Sequence, residues 1–569
     1  MIRVTNVEQI RAIEKAADAS GYHYQEMMTA AGRAAANRAL AIIADIDKPK
    51  ITVLVGSGNN GGDGLLAGLF IVQDNAEAEV RFYLLKDRHD DYIETAQQAE
   101  LSITKSKDDK DKRVLRNLIA SSDCIIDALF GIGVRLPIRG DAQKILRQVN
   151  TVINERRRAK PENLAINLRK GGKIPKLPRQ VVLAIDCPSG LDCDTGEVDK
   201  NVISADETIT FIAAKTGQFA YPGANSVGIL TVADINISEK LEEVKVVTDY
   251  VVDADWVKSK LPQRGSNSHK GTYGRALIIA GSVNYIGAPA LAAEAAYRSG
   301  AGLVTVGTAA SVIQALAGSL RETTWLMLPH DMGVIAESAV SVITKELNKM
   351  QALLIGPGLG TEKTTREFLE NLLHQKDENT VKKGKRRLGF QIADKTEKAA
   401  HDNDNVITIS PLVIDADGLN LLAEIDEWWT LLPENTIITP HPGEMSRLTN
   451  LETTEVQSNR WQLAREKAQA WKVVLVLKGA HTVIASPDGN LAILPFKTDA
   501  LATAGTGDIL AGLIVGMLAQ GLKPLDAAVV GAYVHGIAGE LAGEHGNSRS
   551  TIAGDILALL GEAFNQIEQ

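Results

Sequence analysis

Three cysteines, Cys124, Cys187 and Cys193, are all that 569 residues contain. They form neither a zinc-ligand pattern nor a disulfide framework, and so few thiols fit a reducing cytosol. Aromatic residues are scarce too, at 4%, which disfavours an aromatic-rich binding surface. No apolar run reaches the roughly 18 residues that a membrane span needs. The opening stretch MIRVTNVEQIRAIEKA lacks a long apolar core and a cleavage site, so no secretory signal is read. Positive charge is not in excess. The formal net charge is -9, with 33 basic and 35 acidic groups in residues 1–250 and 28 and 35 beyond. Neither half is a basic module of the kind that binds nucleic acid. The expectation is a cytoplasmic protein without a nucleic-acid or membrane partner.

What is present is the balance of an ordinary globular protein: 45% apolar residues, 23% charged and 49 glycines. The length exceeds what one hydrophobic core usually supports, so at least two domains are expected. Short β-branched runs alternate with helical stretches. ITVLVGSG, EVRFYLL, CIIDALF and VVLAID lie in the first half; RALIIAGS, GLVTVGT, ALLIGPG, LVIDADG, TIITP and VVLVLKG lie in the second. Apolar strands separated by helices mark parallel α/β sheets covered on both faces. GILTVADINI reads as a closing strand and DADWVKSKLPQR as a new beginning, which places the domains at 1–247 and 248–569. Two segments look inserted, 156–179 with nine basic residues against one acidic, and the charged stretch 374–405. Solvated surface loops are the ordinary explanation; an anionic or RNA contact is the sharper one.

The first chemical signal is GSGNNGGDG, Gly56 to Gly64, after the strand ITVLV and before an apolar helix expected from Leu65. Glycines bring backbone N–H groups close to a phosphate, helped by the following helix N-terminus. The fingerprint GxGxxG, met by Gly56, Gly58 and Gly61, is weak alone. Two further strand ends agree with it, Asp127 followed by Gly131 and Gly133, and Asp186 opening Cys187-Pro188-Ser189-Gly190. Oxygen-rich groups at successive strand ends suit a hard cation and a polar ligand. Met27 and Met28 read as core. Lys215 suits either a phosphate contact or a salt bridge.

The second signal is AGTGD, Ala504 to Asp508, at the head of the apolar stretch ILAGLIVGMLAQG. Such a turn aims N–H groups at phosphate charge, and an Asp there takes the proton of an attacking hydroxyl or simply caps the helix. LKGAHTVIASPDG upstream fits a nucleotide-holding hairpin. His441 in HPGE is a ligand contact or a cap. Asp415 and Asp417 bind magnesium through water or finish a strand.

GNNGGDG, DALFGIG, AIDCPSGLDCDTG and TITFIAAKTGQ, in that order, resemble the NAD(P)H-hydrate epimerases. SHKGTYG, GSVNYIGAPALAAEAAYRSGAGLVTV, IGPGLG, VIDADGLNLL, TPHPGEMSRL, LKGAHT and AGTGDILAG resemble the NAD(P)H-hydrate dehydratases of the ribokinase-like kinases. The resemblance implies an α/β chain with an N-terminal Rossmann-like α/β/α sandwich and a C-terminal ribokinase-like α/β/α domain. It implies a bifunctional repair enzyme that interconverts the R and S forms of hydrated NADH and NADPH and dehydrates the S form at the expense of ADP or ATP. Asn59, Asn60, Gly61, Gly62 and Asp63, with Gly131, Ile132, Gly133, Val134, Arg135, Leu136, Pro137 and Asp186, would hold the hydrate in the first domain. Asn60, Asp127 and Ser189 would hold potassium, and Asp186 would transfer the proton. In the second domain Ala288, Gly358, His441 and Asp508 would line the hydrate site, with Asp508 as base. Lys478, Gly479, Ala480, His481, Thr482 and Gly507 would hold ADP or ATP with magnesium. A homo-oligomer is expected. The rivals are a small-alcohol kinase fused to a non-catalytic binding domain, and an RNA-associated scaffold.

Overall fold

The structure, a computed structural model, describes residues 1–158, 180–381 and 411–569. Nearly all of the two inserted segments lies outside the described residues, and so does any role for them. The chain divides into two compact units, Ile2–Thr248 and Asp249–Gln569.

In the first unit the run KITVLV forms the strand Lys50–Val55, buried beyond its first residue. Its neighbours build a sheet in the order Ser102–Lys105, Glu79–Leu84, Lys50–Val55, Cys124–Ala128, Val181–Ile185, Glu207–Phe211, Ile229–Ala233. Every adjacent pair is parallel. Numbered along the chain this is 3-2-1-4-5-6-7, so the order reverses between Lys50–Val55 and Cys124–Ala128, where open α/β sheets place their ligands. Side chains alternate across the pleat. Ile51, Val53 and Val55 meet Ala35, Ala39, Leu65 and Ile71 on one face; Leu54 and Ile125 meet Leu115, Ile119, Ile145 and Val149 on the other. Each such side chain contributes about 1.5–3 kcal/mol on burial, which two-sided coverage secures for nearly every strand residue. A separate parallel pair joins Ile2–Thr5 to Ala214–Lys215.

The second unit repeats the order. Thr324–Met327, Leu303–Thr308, Arg275–Ile279, Ala352–Ile355, Leu412–Ile414, Ile437–Ile438 and Val474–Leu477 lie side by side and parallel. Val483–Ala485 and Leu491–Ile493 then continue antiparallel, which is the hairpin expected from LKGAHTVIASPDG. The helix Thr506–Ala519 is buried along almost its whole length, because it packs between helices Gly287–Arg298 and Pro524–His545 as well as on the sheet. That explains a sequence apolar all round rather than on one stripe.

Two expectations need correction. The first-unit helix starts at Asn59, not Leu65: Asn59–Asp74 is one helix, so the glycine motif forms its opening turn rather than a loop before it. Cys187 and Cys193 are joined as a disulfide, and Cys124 is free and buried. No described helix is long and apolar enough to cross a membrane.

Candidate active sites

The C-terminal ends of the first sheet open into a cavity of about 470 Å³. Asn59, Asn60, Asp63, Gly131, Ile132, Gly133, Val134 and Asp186 line it. Gly61, Gly62, Arg135, Leu136 and Pro137 do not. Gly61 instead packs on the Gly56 backbone, and Gly56 itself admits no side chain, since a Cβ there would lie 1.9 Å from the Leu129 carbonyl oxygen. Both methionines expected in the core, Met27 and Met28, also line the cavity, along with Glu14 from helix Val7–Ala19.

Asp186 holds a left-handed backbone at the strand end, φ 66°, a conformation uncommon outside glycine that is met at functional turns. Its Oδ2 accepts from the Ile132 N–H at 3.0 Å, and its Oδ1 from Lys215 Nζ at 2.7 Å and Thr210 Oγ1 at 3.2 Å. Lys215 is only 1% exposed, so the salt-bridge role is realised, inside the cavity wall. Glu14 and Asp63 share this field. Burial, then the charge of Asp186, pushes the Glu14 carboxyl above its ordinary range. Burial, then Asp186 and Glu14, pushes Asp63 well above it. Neither interaction was visible in the sequence.

Behind the cavity Asp127, fully buried, accepts from the Ser189 N–H at 2.8 Å, Ser189 Oγ at 2.6 Å and the Leu129 N–H at 3.3 Å. Burial lifts it to about 6. Asn60 is buried with neither side-chain Oδ1 nor Nδ2 hydrogen-bonded. An orphaned amide oxygen and a desolvated carboxylate at the ends of neighbouring strands are oxygen donors of the kind a hard cation takes. Among the described residues no group of three His, Cys, Asp or Glu side chains is gathered for a metal, so any cation here relies on neutral oxygens as well. Arg88, unnoticed in the sequence, braces the glycine turn by donating to the Gly56 and Gly58 carbonyls at 2.9 and 2.8 Å.

In the second unit Asp508 lies in the first turn of Thr506–Ala519. Burial, then the charge of Asp415, lifts it to about 7. Asp415, 1% exposed, ends its strand against Lys478 Nζ at 2.7 Å. Lys478 also reaches Glu444 at 3.5 Å, which burial lifts to about 7. A Cβ on Gly507 would sit 3.6 Å from Lys478 Nζ, so the helix start and the hairpin lysine converge. Asp417 ties down the Gly-rich turn by accepting from the Gly360 N–H at 2.9 Å. Ala288 and Gly358 touch: a Cβ on Gly358, φ 64°, would lie 3.0 Å from that of Ala288 and 2.7 Å from that of Tyr285. Tyr285, 55% exposed beside them, is an aromatic surface missed in the sequence.

His441 caps helix Pro442–Thr449, its Nδ1 accepting from the Gly443 and Glu444 N–H groups at 3.0 and 3.3 Å. The capping bonds place its remaining proton on Nε2, which lies 3.4 Å from Glu444 Oε1, while the side chain as a whole is half exposed. Lys478, Gly479, Ala480, Thr482 and Gly507 line a second cavity of about 210 Å³. His481 does not: its ring is buried against the Leu494 carbonyl. Arg460 holds this loop through the Leu477, Lys478 and Ala480 carbonyls at 3.0, 3.1 and 2.9 Å.

Comparison with known proteins bears on both units. Residues 24–217 match the family model described as YjeF-related protein N-terminus, and residues 276–381 and 392–559 match that described as NAD(P)H-hydrate dehydratase. The chain is 34% identical over 529 residues to a Bifunctional NAD(P)H-hydrate repair enzyme Nnr of Moorella thermoacetica, covering 91% of this chain and 88% of the relative.

The chain belongs to the bifunctional NAD(P)H-hydrate repair enzymes.

Proteins of the same name from Thermofilum pendens and Escherichia coli are 30% and 31% identical, covering 100% and 98% of this chain and 97% and 92% of theirs. The family likeness thus spans both sites. It makes the chain an NAD(P)H-hydrate epimerase and dehydratase and sets aside the small-alcohol kinase with an inert partner domain.

Proposed function

We propose that the two activities divide between the units, with epimerisation in Ile2–Thr248 around Asp186 and dehydration in Asp249–Gln569 around Asp508. The observation that carries the dehydratase half is Asp508 at the head of a buried helix, facing Lys478 and Asp415. Gly507 with Lys478, Gly479, Ala480 and Thr482 of the hairpin loop receives the phosphates of ADP or ATP, and Ala288, Gly358 and His441 receive the hydrated ring. Asp508 takes the proton of the 6-hydroxyl as that oxygen attacks the terminal phosphorus, whose bond to the bridging oxygen breaks to release AMP from ADP or ADP from ATP. Hydroxide, a poor leaving group, becomes phosphate; the ring C–O bond then breaks, the neighbouring carbon gives up its proton, and the ring double bond returns. Asp415, held by Lys478, and Asp508 fit the one or two carboxylates that magnesium takes beside nucleotide phosphates. Magnesium there would neutralise charge on the transferring group.

In the first unit the hydrated carbon carries both a hydroxyl and the ring nitrogen. Inversion therefore needs a bond at that carbon to break and re-form on the other face, with one group giving and another taking a proton. Asp186 is the proposed proton carrier. Lys215 and the Ile132 N–H fix both of its oxygens, while Asn59, Asn60, Asp63 and Gly131 to Val134, which line the cavity, hold the substrate. Asn60, Asp127 and Ser189 would hold potassium, which supplies positive charge where the substrate meets the turn.

The test is recovery of reduced-nicotinamide absorbance from a mixture of R and S hydrates, with magnesium and either ADP or ATP. Full nucleotide-dependent recovery, with inorganic phosphate released, is expected. Asp508→Ala abolishes recovery and keeps epimerisation; Asp186→Ala limits recovery to the S fraction. Loss of both activities in one folded single variant refutes the division.

A further inference from the structure

The cavity beside Gly507 contains one feature that phosphate binding leaves unused. Its far wall is apolar, built from Leu494, Phe496, Leu501, Leu510 and Ala532. The Phe496 ring is pinned edge-on to Tyr533 at 4.9 Å. Into this slot faces His535, from helix Pro524–His545, 8% exposed. Its ring is hydrogen-bonded to the Thr506 backbone, and its Nε2 is buried with no hydrogen-bond partner. Buried polar atoms are seldom left in that state, and a native exception calls for an explanation.

We propose that His535 is a nucleotide-specificity residue, its Nε2 accepting a hydrogen bond from the nucleoside part of the bound ADP or ATP. The proposal rests on the assignment of this cavity to the nucleotide. The chemistry follows from the proton count. A neutral imidazole has one N–H and one acceptor nitrogen, and burial, lowering the ring to about 4, keeps it neutral. With the bond to Thr506 made through the other ring nitrogen, on the acceptor carbonyl of that backbone, Nε2 has only its lone pair to offer. It thus repels phosphate oxygens and calls for a donor. Adenosine has two kinds, the 6-amino group and the ribose hydroxyls, whereas guanine carries an acceptor oxygen where adenine carries the amino group. Lys497 and Thr498 also line the cavity, but beside the apolar wall a few placed polar groups decide which ligand is accepted.

The test is calorimetric binding to the full chain with magnesium, using ADP, inosine diphosphate, 2′-deoxy-ADP and 3′-deoxy-ADP. His535→Phe keeps a flat ring and removes the acceptor; His535→Gln restores an acceptor oxygen. We expect His535→Phe to weaken ADP about tenfold, a factor equal to about 1.4 kcal/mol, and His535→Gln to recover part of that. One analogue binds the unaltered chain about as weakly as ADP binds the Phe variant, and that variant weakens it no further; that analogue identifies the donor. Equal ADP affinity in the Phe variant overturns the proposal. So does a uniform loss for ADP and every analogue, which marks a packing role. Failure of ADP to bind the unaltered chain overturns the nucleotide assignment itself, and is seen before any substitution is made.

Discussion

Replacing Asp508 by asparagine tests whether the dehydratase site is held in a costly state. Asp508 is lifted from an ordinary 3.8 to about 7, first by burial and then by Asp415. Each tenfold change in proton affinity corresponds to about 1.4 kcal/mol, so the ionised carboxylate costs the fold about 4 kcal/mol as an upper figure. The folded state binds this proton more tightly than the unfolded one. The penalty is therefore absent below pH 3.8, accumulates between 3.8 and 7, and is complete above 7. The amide of the Asp508→Asn variant is neutral throughout and escapes it. That variant should lose dehydration, keep epimerisation, and melt higher than the unaltered chain by a margin that widens from pH 5 to pH 8. The unaltered enzyme's dehydration kcat/KM should rise through about pH 7 as the base ionises. Differential scanning calorimetry at several pH values checks the stability half, following the transition of the unit that carries Asp508. A margin that stays constant with pH, or a variant less stable at pH 8, refutes the electrostatic account.

Three further outcomes follow from the same contacts. Lys215→Met strands a buried carboxylate, so the first unit should lose about 3–5 kcal/mol in thermal or urea melting, with Lys215→Met/Asp186→Asn regaining most of it. Arg460→Ala removes three charged hydrogen bonds to the loop Leu477–Ala480. At about 1.5–3 kcal/mol for each such bond, the KM for ADP should rise at least about tenfold in steady-state assays, with kcat little altered. Exchanging potassium for a bulky tetraalkylammonium ion should slow epimerisation and leave dehydration of the S hydrate unchanged, and Asp127→Asn should remove that sensitivity.

Sequence and structure agree where a residue's position is set by its own strand end. Asp127, Asp186 and Asp415 each follow an apolar run, and a doubly wound sheet gathers such ends on one edge. Edge strands were harder to see. Ser102–Lys105 is partly exposed, so its sequence, SITK, lacks the apolar run that marks a central strand. The helix start at Asn59 was missed because glycines read as loop, although the close approach of Gly61 to the Gly56 backbone and of Gly64 to Ala128 is what demands them. Glu14 looks like the polar face of an amphipathic helix, and only the fold brings it to Asp186. His535 sits in a helix apolar all round, where sequence offers no sign of which side meets a cavity. Arg88 and Arg460 brace glycine turns distant in sequence, which no motif spacing reveals. His481, drawn in by its place in LKGAHT, is turned inward because its left-handed backbone, φ 50°, sends the ring under the hairpin.

The two sites start from the same strand order and differ in how charge is balanced. Around Asp186 a buried lysine and a backbone N–H meet the carboxylate directly, so it is fixed and its charge matched before substrate arrives, with Glu14 and Asp63 as the groups inclined to hold protons. Around Asp508 three carboxylates, Asp415, Glu444 and Asp508 itself, share Lys478. That cluster is short of positive charge, and a nucleotide's phosphates would worsen the deficit. A divalent cation held by Asp415 and Asp508 would reverse it and favour the ionised form of Asp508 that a base requires. On the proposed division, the first site would meet its substrate with its carboxylate already matched, whereas the second would gain the positive charge it lacks when cation and nucleotide arrive together.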